Sequence, residues 1–357
     1  MLKILHASDF HLDSPFRHLS AEQAMTRRRE LRELPVTLAD LARAEQVDLV
    51  LLPGDLFDGR RVYPETIEAL MTALGSLPVP VVIAPGNHDP AEGHSPYLAA
   101  QWPDNVHIFT SPEISAFAFP DLNCVVHGCA FVTPHRTDEP LLGFSAPEDG
   151  KLHLLCVHGE VGLGGEYGPI PTTALSGSGA AYAALGHIHA GSGLQWAGDT
   201  AWAYCGCPEG RGFDECGPKG ALCVTIGDSG VSAEFKMLCR RQYRVEKVEL
   251  SRFHEALPAL PGRDLVRIIL TGESGRAPDL AGLTELARSQ FFYAEVQDQT
   301  TLPRDLWARA EEDNLTGLFL REMRRRLNAA DEEERPGILL AARFGLAALE
   351  GGEDVCP

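Results

Sequence analysis

The sequence predicts an α/β fold in which sheets are flanked by helices, and three observations support it. Short, nearly continuous apolar runs recur through the first half of the chain, as expected of strands that are covered on both faces. Amphipathic stretches typical of helices separate the first of these runs. Strands that alternate with helices favour an architecture built around a sheet. The runs comprise residues 2–5, 49–52, 79–84, 124–126, 152–157 and 181–185.

Two helices are predicted between the early strands. Residues 22–46 form an amphipathic stretch in which Pro35 is expected to mark a break, because proline removes a helical hydrogen bond. Residues 64–77 have the pattern of a second helix. The arginine triplet at 27–29 lies beside Glu30 and is expected to form a charged, exposed helix face.

The pattern changes near residue 240. Strands are predicted at 243–250, 265–270 and 291–296, with a helix at 280–288, and together these form a small α+β unit. Two helices follow, at 305–327 and 338–349. We therefore expect three domains, at 1–240, 241–300 and 301–357, in keeping with single cores that rarely exceed about 250 residues.

Composition excludes several classes of protein. The 357 residues are 44% hydrophobic and 23% charged, which is typical of a globular protein and unlike disordered or fibrous chains. We find no signal-peptide pattern and no apolar run of about 20 residues, so a cytoplasmic protein without membrane association is expected. The net charge of −19 argues against a general nucleic-acid binder, although bound metal ions would add positive charge locally.

Nine cysteines are scattered along the chain, and a cytoplasm would keep them reduced. Cys205, Cys207 and Cys216 raise the question of a zinc site. Their spacing forms no CxxC pair, so we favour ordinary small buried residues.

The chemical signal lies immediately after five of the apolar runs. Because ligands of α/β proteins bind outside the carboxyl ends of strands, polar residues there converge at one edge if the strands are neighbours. The residues concerned are Asp9 and His11, then Asp55, then Asn87, His88 and Asp89, then His158, and finally His187 and His189.

These residue types suit divalent metal ions, since carboxylate, amide and imidazole groups are all metal ligands. Alternate residues of an extended segment point the same way, so both members of Asp9-x-His11 or of His187-x-His189 can reach one cluster. Asp55 has two oxygens and can bridge two ions. Two ions about 3.5–4 Å apart would clamp a phosphoryl group and activate a water for attack. Each element alone is weak, whereas five in order favour a dimetal site.

The ordered set of Asp9-x-His11, Gly54-Asp55, Gly86-Asn87-His88-Asp89, His158 and Gly186-His187-x-His189 resembles the calcineurin-like metallophosphoesterases. The segments 6–16 and 54–58 are similar to the SbcD/YhaO-like DNA repair exonucleases. The resemblance is strong over about residues 1–240 and extends beyond them only in layout. It implies a four-layer-type metallophosphoesterase sandwich, with a small α+β capping domain and C-terminal helices.

The resemblance also implies roles for the residues. His88 would protonate the leaving oxygen or stabilise the transition state, and Asp89 could orient it. Manganese is the implied metal, while iron and zinc suit the same ligands. Asp58 stands where eukaryotic and archaeal relatives have histidine, which leaves its role open. One ion would be held by Asp9, His11, Asp55 and His189, and the other by Asp55, Asn87, His158 and His187.

The leading hypothesis is a DNA exonuclease or endonuclease in DNA repair. The resemblance implies an SbcC-like ATPase partner docked on the C-terminal helices, and a homodimer. Arg60 and Arg61 are candidates for contacting the DNA backbone, with a solvated loop as the equal alternative. A small-molecule or nucleotide phosphodiesterase or phosphatase is the second hypothesis, because the same site serves both. A vestigial scaffold is the third, and the complete ligand set argues against it.

Three further interpretations concern residues outside these motifs. His6 is expected to be a core histidine whose ring is hydrogen-bonded. Asp13 is either support for the site or a turn residue. The apolar stripe of Phe319, Leu320, Met323 and Leu327 is expected to pack on this chain's own core, with a partner helix as the alternative.

Overall fold

A computed structural model describes residues 1–59, 61–274, 277–301 and 305–349 of the protein. The chain forms two compact units, Met1–Gln242 and Tyr243–Pro357, which we describe in turn. The predicted further division at residue 300 and the capping role of 241–300 stay predictions.

Fourteen strands belong to the described part of the first unit. They are β1 (Leu2–His6), β2 (Leu49–Leu52), β3 (Val81–Ile83), β4 (Val106–Ile108), β5 (Ser115–Phe119), β6 (Cys124–Gly128), β7 (Leu152–His158), β8 (Glu160–Val161), β9 (Pro169–Ile170), β10 (Tyr182–Gly186), β11 (Gln195–Ala197), β12 (Thr200–Tyr204), β13 (Gly220–Gly227) and β14 (Gly230–Met237).

Twelve of these strands form two six-stranded sheets. The first has the order β14-β13-β1-β2-β3-β4 and the second β11-β12-β10-β7-β6-β5. Strands β1 to β4 are parallel, as are β6, β7, β10 and β12. The α/β class is confirmed, but the six predicted strands divide between two sheets. Their apolar runs indicate burial on both faces and do not indicate which sheet a strand joins.

The two sheets face each other across the main hydrophobic core. Ile4, Leu51 and Val82 of the first sheet share one buried cluster with Leu154 and Ala184 of the second. A polar contact also links the sheets through β1 and β10. The buried ring of His6 is hydrogen-bonded through Nδ1 to Tyr182 Oη at 2.8 Å and through Nε2 to the Leu185 carbonyl at 3.1 Å. His6 is therefore a core histidine, as predicted.

The helices of the first unit are α1 (Ala21–Ala44), α2 (Pro64–Gly75), α3 (Pro96–Ala99) and α4 (Thr172–Ser176). The prediction of a break at Pro35 is wrong, since α1 continues through it. Pro35 is buried on the apolar face with Leu31 and Leu38, and this packing offsets the lost hydrogen bond. Ser20 and Gln23 form a capping box that fixes the start of α1.

The arginine triplet on α1 is not uniformly exposed, contrary to expectation. Arg27 is fully buried, and its guanidinium bridges Glu30 at 2.7 Å and Glu209 at 2.7 Å. A buried arginine requires such partners. Glu209 lies 182 positions away along the chain, so the local charge pattern could not indicate this pair.

The second unit contains a parallel sheet of three strands in the order β15 (Tyr243–Glu249), β16 (Leu265–Thr271) and β17 (Tyr293–Asp298). Its helices are α5 (Phe253–Ala256), α6 (Leu280–Gln290), α7 (Leu315–Ala329) and α8 (Arg335–Leu349). The helix predicted to start at 305 begins only at Leu315, because the Asn314 side chain caps it. Leu320, Met323 and Leu327 are buried, so the apolar stripe packs within this unit. Within the described ranges, no helix has both the length and the apolar character of a membrane span.

Candidate metal centre

The polar residues predicted at five strand ends meet where the carboxyl ends of the two sheets adjoin. Ligand atoms of Asp9, His11 and His189 lie within 4.8 Å of one another, as do those of Asp55, His158 and His187. We call the first group cluster A and the second, together with Asn87, cluster B. Each cluster combines residues from both sheets, which explains why neither sheet alone contains the site.

In cluster A, two imidazoles face each other. The Nε2 atoms of His11 and His189 are 3.1 Å apart, and Asp9 Oδ1 lies 3.9 Å from His189 Nε2. The other ring nitrogen of each histidine contacts a carboxylate: His11 Nδ1 lies 3.1 Å from Asp58 Oδ1, and His189 Nδ1 lies 2.8 Å from Glu215 Oε1. Since carboxylates accept, both Nδ1 atoms carry the proton, and two unprotonated Nε2 atoms point at the same space.

Cluster B has the same character. His158 Nδ1 donates to the Pro53 carbonyl at 2.9 Å, which leaves Nε2 unprotonated. This Nε2 lies 2.9 Å from Asn87 Oδ1, and His187 Nδ1 lies 3.1 Å from the same oxygen. A lone pair that faces a carbonyl oxygen at this distance is unfavourable unless both atoms bind the same cation.

Asp55 lies between the clusters. Its Oδ1 accepts from the backbone N–H of His88 at 2.9 Å, whereas its buried Oδ2 has no hydrogen-bond partner among the described residues. Oδ2 lies 3.7 Å from His11 Nε2 and 3.6 Å from His158 Nε2. An unpaired buried carboxylate oxygen carries a large desolvation cost. This orphaned oxygen, between two sets of lone pairs, fits a pair of divalent cations.

The electrostatics support the same conclusion. Burial raises the pKa of Asp55 well above its usual range, and the neighbouring Asp89 and Asp9 raise it further. Burial also raises the pKa of Asp9 to about 6. It lowers the pKa of His11 and of His158 well below the usual range, so both rings are neutral as metal binding requires. The protein alone therefore does not compensate the buried carboxylates, and bound cations would.

Several of these residues adopt a strained backbone. Asp9 has φ of 56°, His11 45°, Asp55 52° and His187 106°. Left-handed conformations cost about 1–2 kcal/mol for residues with a Cβ, and they cluster at functional sites. Asp9 and His11 therefore reach one cluster through left-handed turns, and the expectation that they lie in an extended segment is wrong.

Close backbone approach between the sheets explains the glycine before His187. A Cβ on Gly186 would lie 1.8 Å from the Pro53 carbonyl oxygen and 3.0 Å from His158 Nδ1. Glycine lets β10 pass directly against the loop that carries Asp55.

We expect Gly186→Ala to destabilise the first unit by at least about 1–3 kcal/mol, the usual effect of overpacking. It should also weaken metal binding, because the clash separates the two sheets at the site. Calorimetric melting with and without manganese measures both effects. Gly191→Ala is the matched control, since its Cβ would meet ordinary contacts at 3.5 Å. An unchanged melting temperature for Gly186→Ala would contradict this account.

Sequence reasoning missed two residues behind cluster A. Arg211 Nη1 donates to Asp58 Oδ1 at 3.0 Å, and Nη2 donates to Glu215 Oε1 at 2.9 Å. His189 and Arg211 approach each other at 3.1 Å because both donate to Glu215. Opposing the effect of burial, His189 and Arg211 lower the pKa of Glu215 to about 2. Both residues lie in a glycine-rich loop, where composition alone favours an ordinary turn.

Asp13 supports the loops around the site, one of its two predicted interpretations. Its carboxylate accepts from Arg32 at 3.2 Å, from the Tyr63 backbone N–H at 3.1 Å and from Thr66 Oγ1 at 2.8 Å. These bonds tie the loop after β1 to α1 and to the segment that precedes α2.

His88 and Asp89 have different surroundings. The exposed His88 ring lies 4.7 Å from the His11 ring, centroid to centroid, and its ligand atom groups with those of His11 and Asp58. The buried Asp89 accepts from the backbone N–H groups of Gly86 at 2.8 Å and Phe57 at 3.0 Å, and from Tyr97 Oη at 2.6 Å. The bonds of Asp89 thus fix the loops that present Asn87 and His88, and the predicted orienting contact with the His88 ring is not among them.

The remaining predicted residues lie outside the clusters. Arg61 is exposed and, with Asp58, lines a cavity of about 400 Å³ beside the site. Arg60 lies outside the described residues. Cys205 and Cys207 are buried and Cys216 is exposed, and no cysteine takes part in the potential metal clusters of the described ranges.

Asp, His and Asn side chains gathered at the strand ends of a double-sheet sandwich are a donor set suited to divalent metal ions, which points to the class of metal-dependent proteins. A family model described as calcineurin-like phosphoesterase matches residues 2–191. The chain belongs to this family, whose members use divalent metal ions, and the resemblance noted in the sequence is thereby confirmed.

Individual relatives are similar over parts of the chain. An uncharacterized metallophosphoesterase YhaO of Bacillus subtilis is 32% identical over 247 residues, which cover 66% of this chain and 60% of the relative. The DNA double-strand break repair protein Mre11 of Aeropyrum pernix is 27% identical over 266 residues, covering 69% and 63%. A component of the nuclease SbcCD of Rhodobacter capsulatus is 33% identical over 96 residues, covering 26% and 22%. The chain thus spans less than two thirds of the length of each relative.

Proposed function

We propose that this protein is a dimetal phosphodiesterase that cleaves DNA, as an exonuclease or endonuclease in DNA repair, with manganese as its metal. The observation that carries the proposal is the orphaned Oδ2 of Asp55, which lies between the unprotonated Nε2 atoms of His11 in cluster A and His158 in cluster B. Similarity to a double-strand break repair protein and to a nuclease component supports DNA as the substrate.

Asp9, His11, Asp55 and His189 would hold one ion, and Asp55, Asn87, His158 and His187 the other. Bound divalent ions supply Lewis acidity to the phosphoryl oxygens and a water that loses its proton at neutral pH. The protein's part is to fix the ligands before substrate arrives. Asp58 and Glu215 do this in cluster A, and the Pro53 carbonyl does it for His158 in cluster B.

His88 is the proposed proton donor to the leaving oxygen. It is exposed at the outer side of cluster A, where a bound phosphodiester would meet it, and its backbone N–H is fixed by Asp55. Asp89 acts as a positioning residue through the loops on both sides of His88. This assignment replaces direct orientation of the His88 ring by Asp89.

Arg61 is the proposed contact to the DNA backbone, since it is exposed beside the site. We expect Arg61→Ala to raise KM for DNA several-fold and to reduce the slope of log affinity against log salt by about 1, as loss of one phosphate contact does. Turnover of bis-p-nitrophenyl phosphate should not change. Arg43→Ala is the control. Arg43 lies in the last turn of α1, the end of the helix that leads to the N-terminal ends of the parallel strands. An unchanged salt slope would remove Arg61 from the interface.

The C-terminal helices are the proposed docking site for an SbcC-like ATPase. Although these helices form their own small core, large apolar side chains remain exposed on them, among them Leu318 at 58% and Phe344 at 48%. Homodimerisation stays a prediction that rests on the resemblance.

Manganese-dependent cleavage of labelled single- and double-stranded DNA, beside bis-p-nitrophenyl phosphate, tests the function. Cleavage of DNA that disappears in chelator supports the nuclease. Turnover of the small diester with both DNA forms intact, even with an ATPase partner added, would favour the small-molecule phosphodiesterase instead. Loss of both activities in a protein that has bound two ions would favour a non-catalytic role.

A further inference from the structure

The two histidines of cluster A are joined by a single side chain behind them. Each donates Nδ1–H to one carboxylate oxygen, Asp58 Oδ1 for His11 and Glu215 Oε1 for His189. The same two oxygens accept from the two terminal nitrogens of Arg211, at 3.0 and 2.9 Å. Asp58, Arg211 and Glu215, which we call the Arg211 clamp, therefore connect two ligands from different sheets.

The geometry of the clamp depends on a planar, forked side chain. The guanidinium presents its donors in a fixed plane, so it sets the separation of the two carboxylates and, through them, of the two imidazoles. The backbone N–H of Arg211 also donates to Glu215 Oε2 at 2.7 Å, which fixes both oxygens of that carboxylate. Arg211 and Glu215 are mostly buried, with 17% and 6% of their side chains exposed, so water competes little for these bonds.

Cluster B has no counterpart to this arrangement among the described residues. His158 Nδ1 donates to the Pro53 backbone carbonyl, and His187 uses its Nδ1 toward Asn87 within the cluster itself. The support of cluster B is therefore built into the backbone, whereas that of cluster A depends on three side chains.

We infer that Arg211 is a positioning residue that sets the metal affinity of cluster A selectively, by fixing the distance between His11 and His189. The inference rests on the proposed dimetal site. It goes beyond that proposal because it makes the metal affinity of cluster A, and not that of cluster B, depend on a residue that is itself no ligand. Outer partners of metal-binding histidines typically change metal affinity by about 10-fold to 100-fold.

Charge and geometry make opposite predictions for Arg211. The guanidinium is a cation close to a cation site, so on charge alone its removal would strengthen metal binding, because two carboxylates would be left unpaired. If geometry dominates, its removal weakens binding. Arg211→Lys keeps the charge and loses the fork, because a single ammonium cannot reproduce the two parallel contacts.

The test is calorimetric titration of the metal-free full chain with Mn²⁺, with electron paramagnetic resonance of the bound ions. We expect wild type to bind two ions with a coupled signal. In Arg211→Lys, the affinity for one manganese ion should fall by about 10-fold to 100-fold, while the affinity for the other ion stays at the wild-type value. At one equivalent of manganese, the resonance spectrum of this variant should show a single ion that is not coupled to a second. His189→Gln removes a side chain of cluster A itself, so the affinity that it weakens is that of cluster A. The affinity that Arg211→Lys weakens should be the same one. Arg27→Lys is the matched control, since Arg27 also bridges two carboxylates but touches no ligand, and it should bind both ions normally.

Two outcomes would overturn the inference while the proposed function stands: wild-type affinities in a folded Arg211→Lys protein, or equal weakening of both ions. If circular dichroism shows that this variant does not fold, Glu215→Gln decides. It keeps an acceptor for His189 and weakens the link to Arg211, so unchanged manganese affinity there would overturn the inference. A wild-type protein that binds fewer than two ions would overturn the dimetal proposal and the inference together.

Discussion

Replacing His88 with alanine is expected to lower kcat for DNA by roughly 100-fold to 10,000-fold, the range typical of a lost general acid. Uptake of two manganese ions should be unchanged, because the His88 ring is exposed and the ligands keep their hydrogen bonds. The backbone N–H of residue 88 would still donate to Asp55. Single-turnover cleavage and manganese titration of the same preparation measure the two quantities.

A substrate with a better leaving group provides the diagnostic control for His88. A p-nitrophenolate needs no proton, so the variant should lose much less activity on bis-p-nitrophenyl phosphate than on DNA. His254→Ala, an exposed histidine in the second unit, should behave as wild type. Equal losses on both substrates, or a loss of metal, would exclude His88 as the proton donor and favour a structural role.

The second large effect is expected for Asp55→Asn, which removes the charge between the clusters. We expect the protein to bind at most one ion tightly and kcat to fall by at least about 1,000-fold, since a metal ion contributes several kcal/mol to the transition state and about 1.36 kcal/mol is tenfold in rate. Manganese titration and DNA cleavage measure these losses. A variant that binds two ions and cleaves DNA normally would remove Asp55 from the centre.

When a chelator removes the metal ions, the Asp55→Asn variant should be at least as thermally stable as the wild-type protein. Burial, with Asp89 and Asp9, raises the pKa of Asp55 in the folded state above its value in the unfolded chain. The stability linked to this group is therefore present at low pH and lost as pH rises, so at neutral pH the carboxylate destabilises the metal-free protein. Asparagine keeps the acceptor for the His88 N–H and is uncharged. In chelator, Asp55→Asn should melt no lower than wild type, and a clearly lower melting temperature would contradict this explanation.

The sequence predicted the innermost residues of the site well, and for a physical reason. Asp9, Asp55 and His158 each follow an apolar run that is buried on both faces, so the end of the run indicates where a polar side chain can emerge. The structure brings all seven predicted ligands into the two clusters, although their metal-binding roles stay proposals.

The supporting residues could not be predicted in the same way. Arg211 pairs with Asp58 across 153 positions, and its glycine-rich loop has no periodicity to interpret. The burial of Arg27 depends on Glu209, again a distant partner. Pro35 is the opposite case. The local rule that proline breaks a helix predicts a break there, but packing on the apolar face keeps α1 continuous. Local patterns predict elements, whereas long-range polar pairs appear only in the folded chain.

The location of the clusters between two sheets has a consequence for the synthesis of the protein. Residues 9, 55 and 87 are made early, but His187 and His189 close both clusters, and Arg211 and Glu215 follow them. A nascent chain that extends only through β4 contains Asp9, Asp55 and Asn87 but not yet His158, His187 and His189, and β13 and β14 complete the first sheet only after them. Neither cluster can therefore assemble until the chain has been made through the residues that follow β10, so the metal centre is a late product of synthesis and not a property of the N-terminal half.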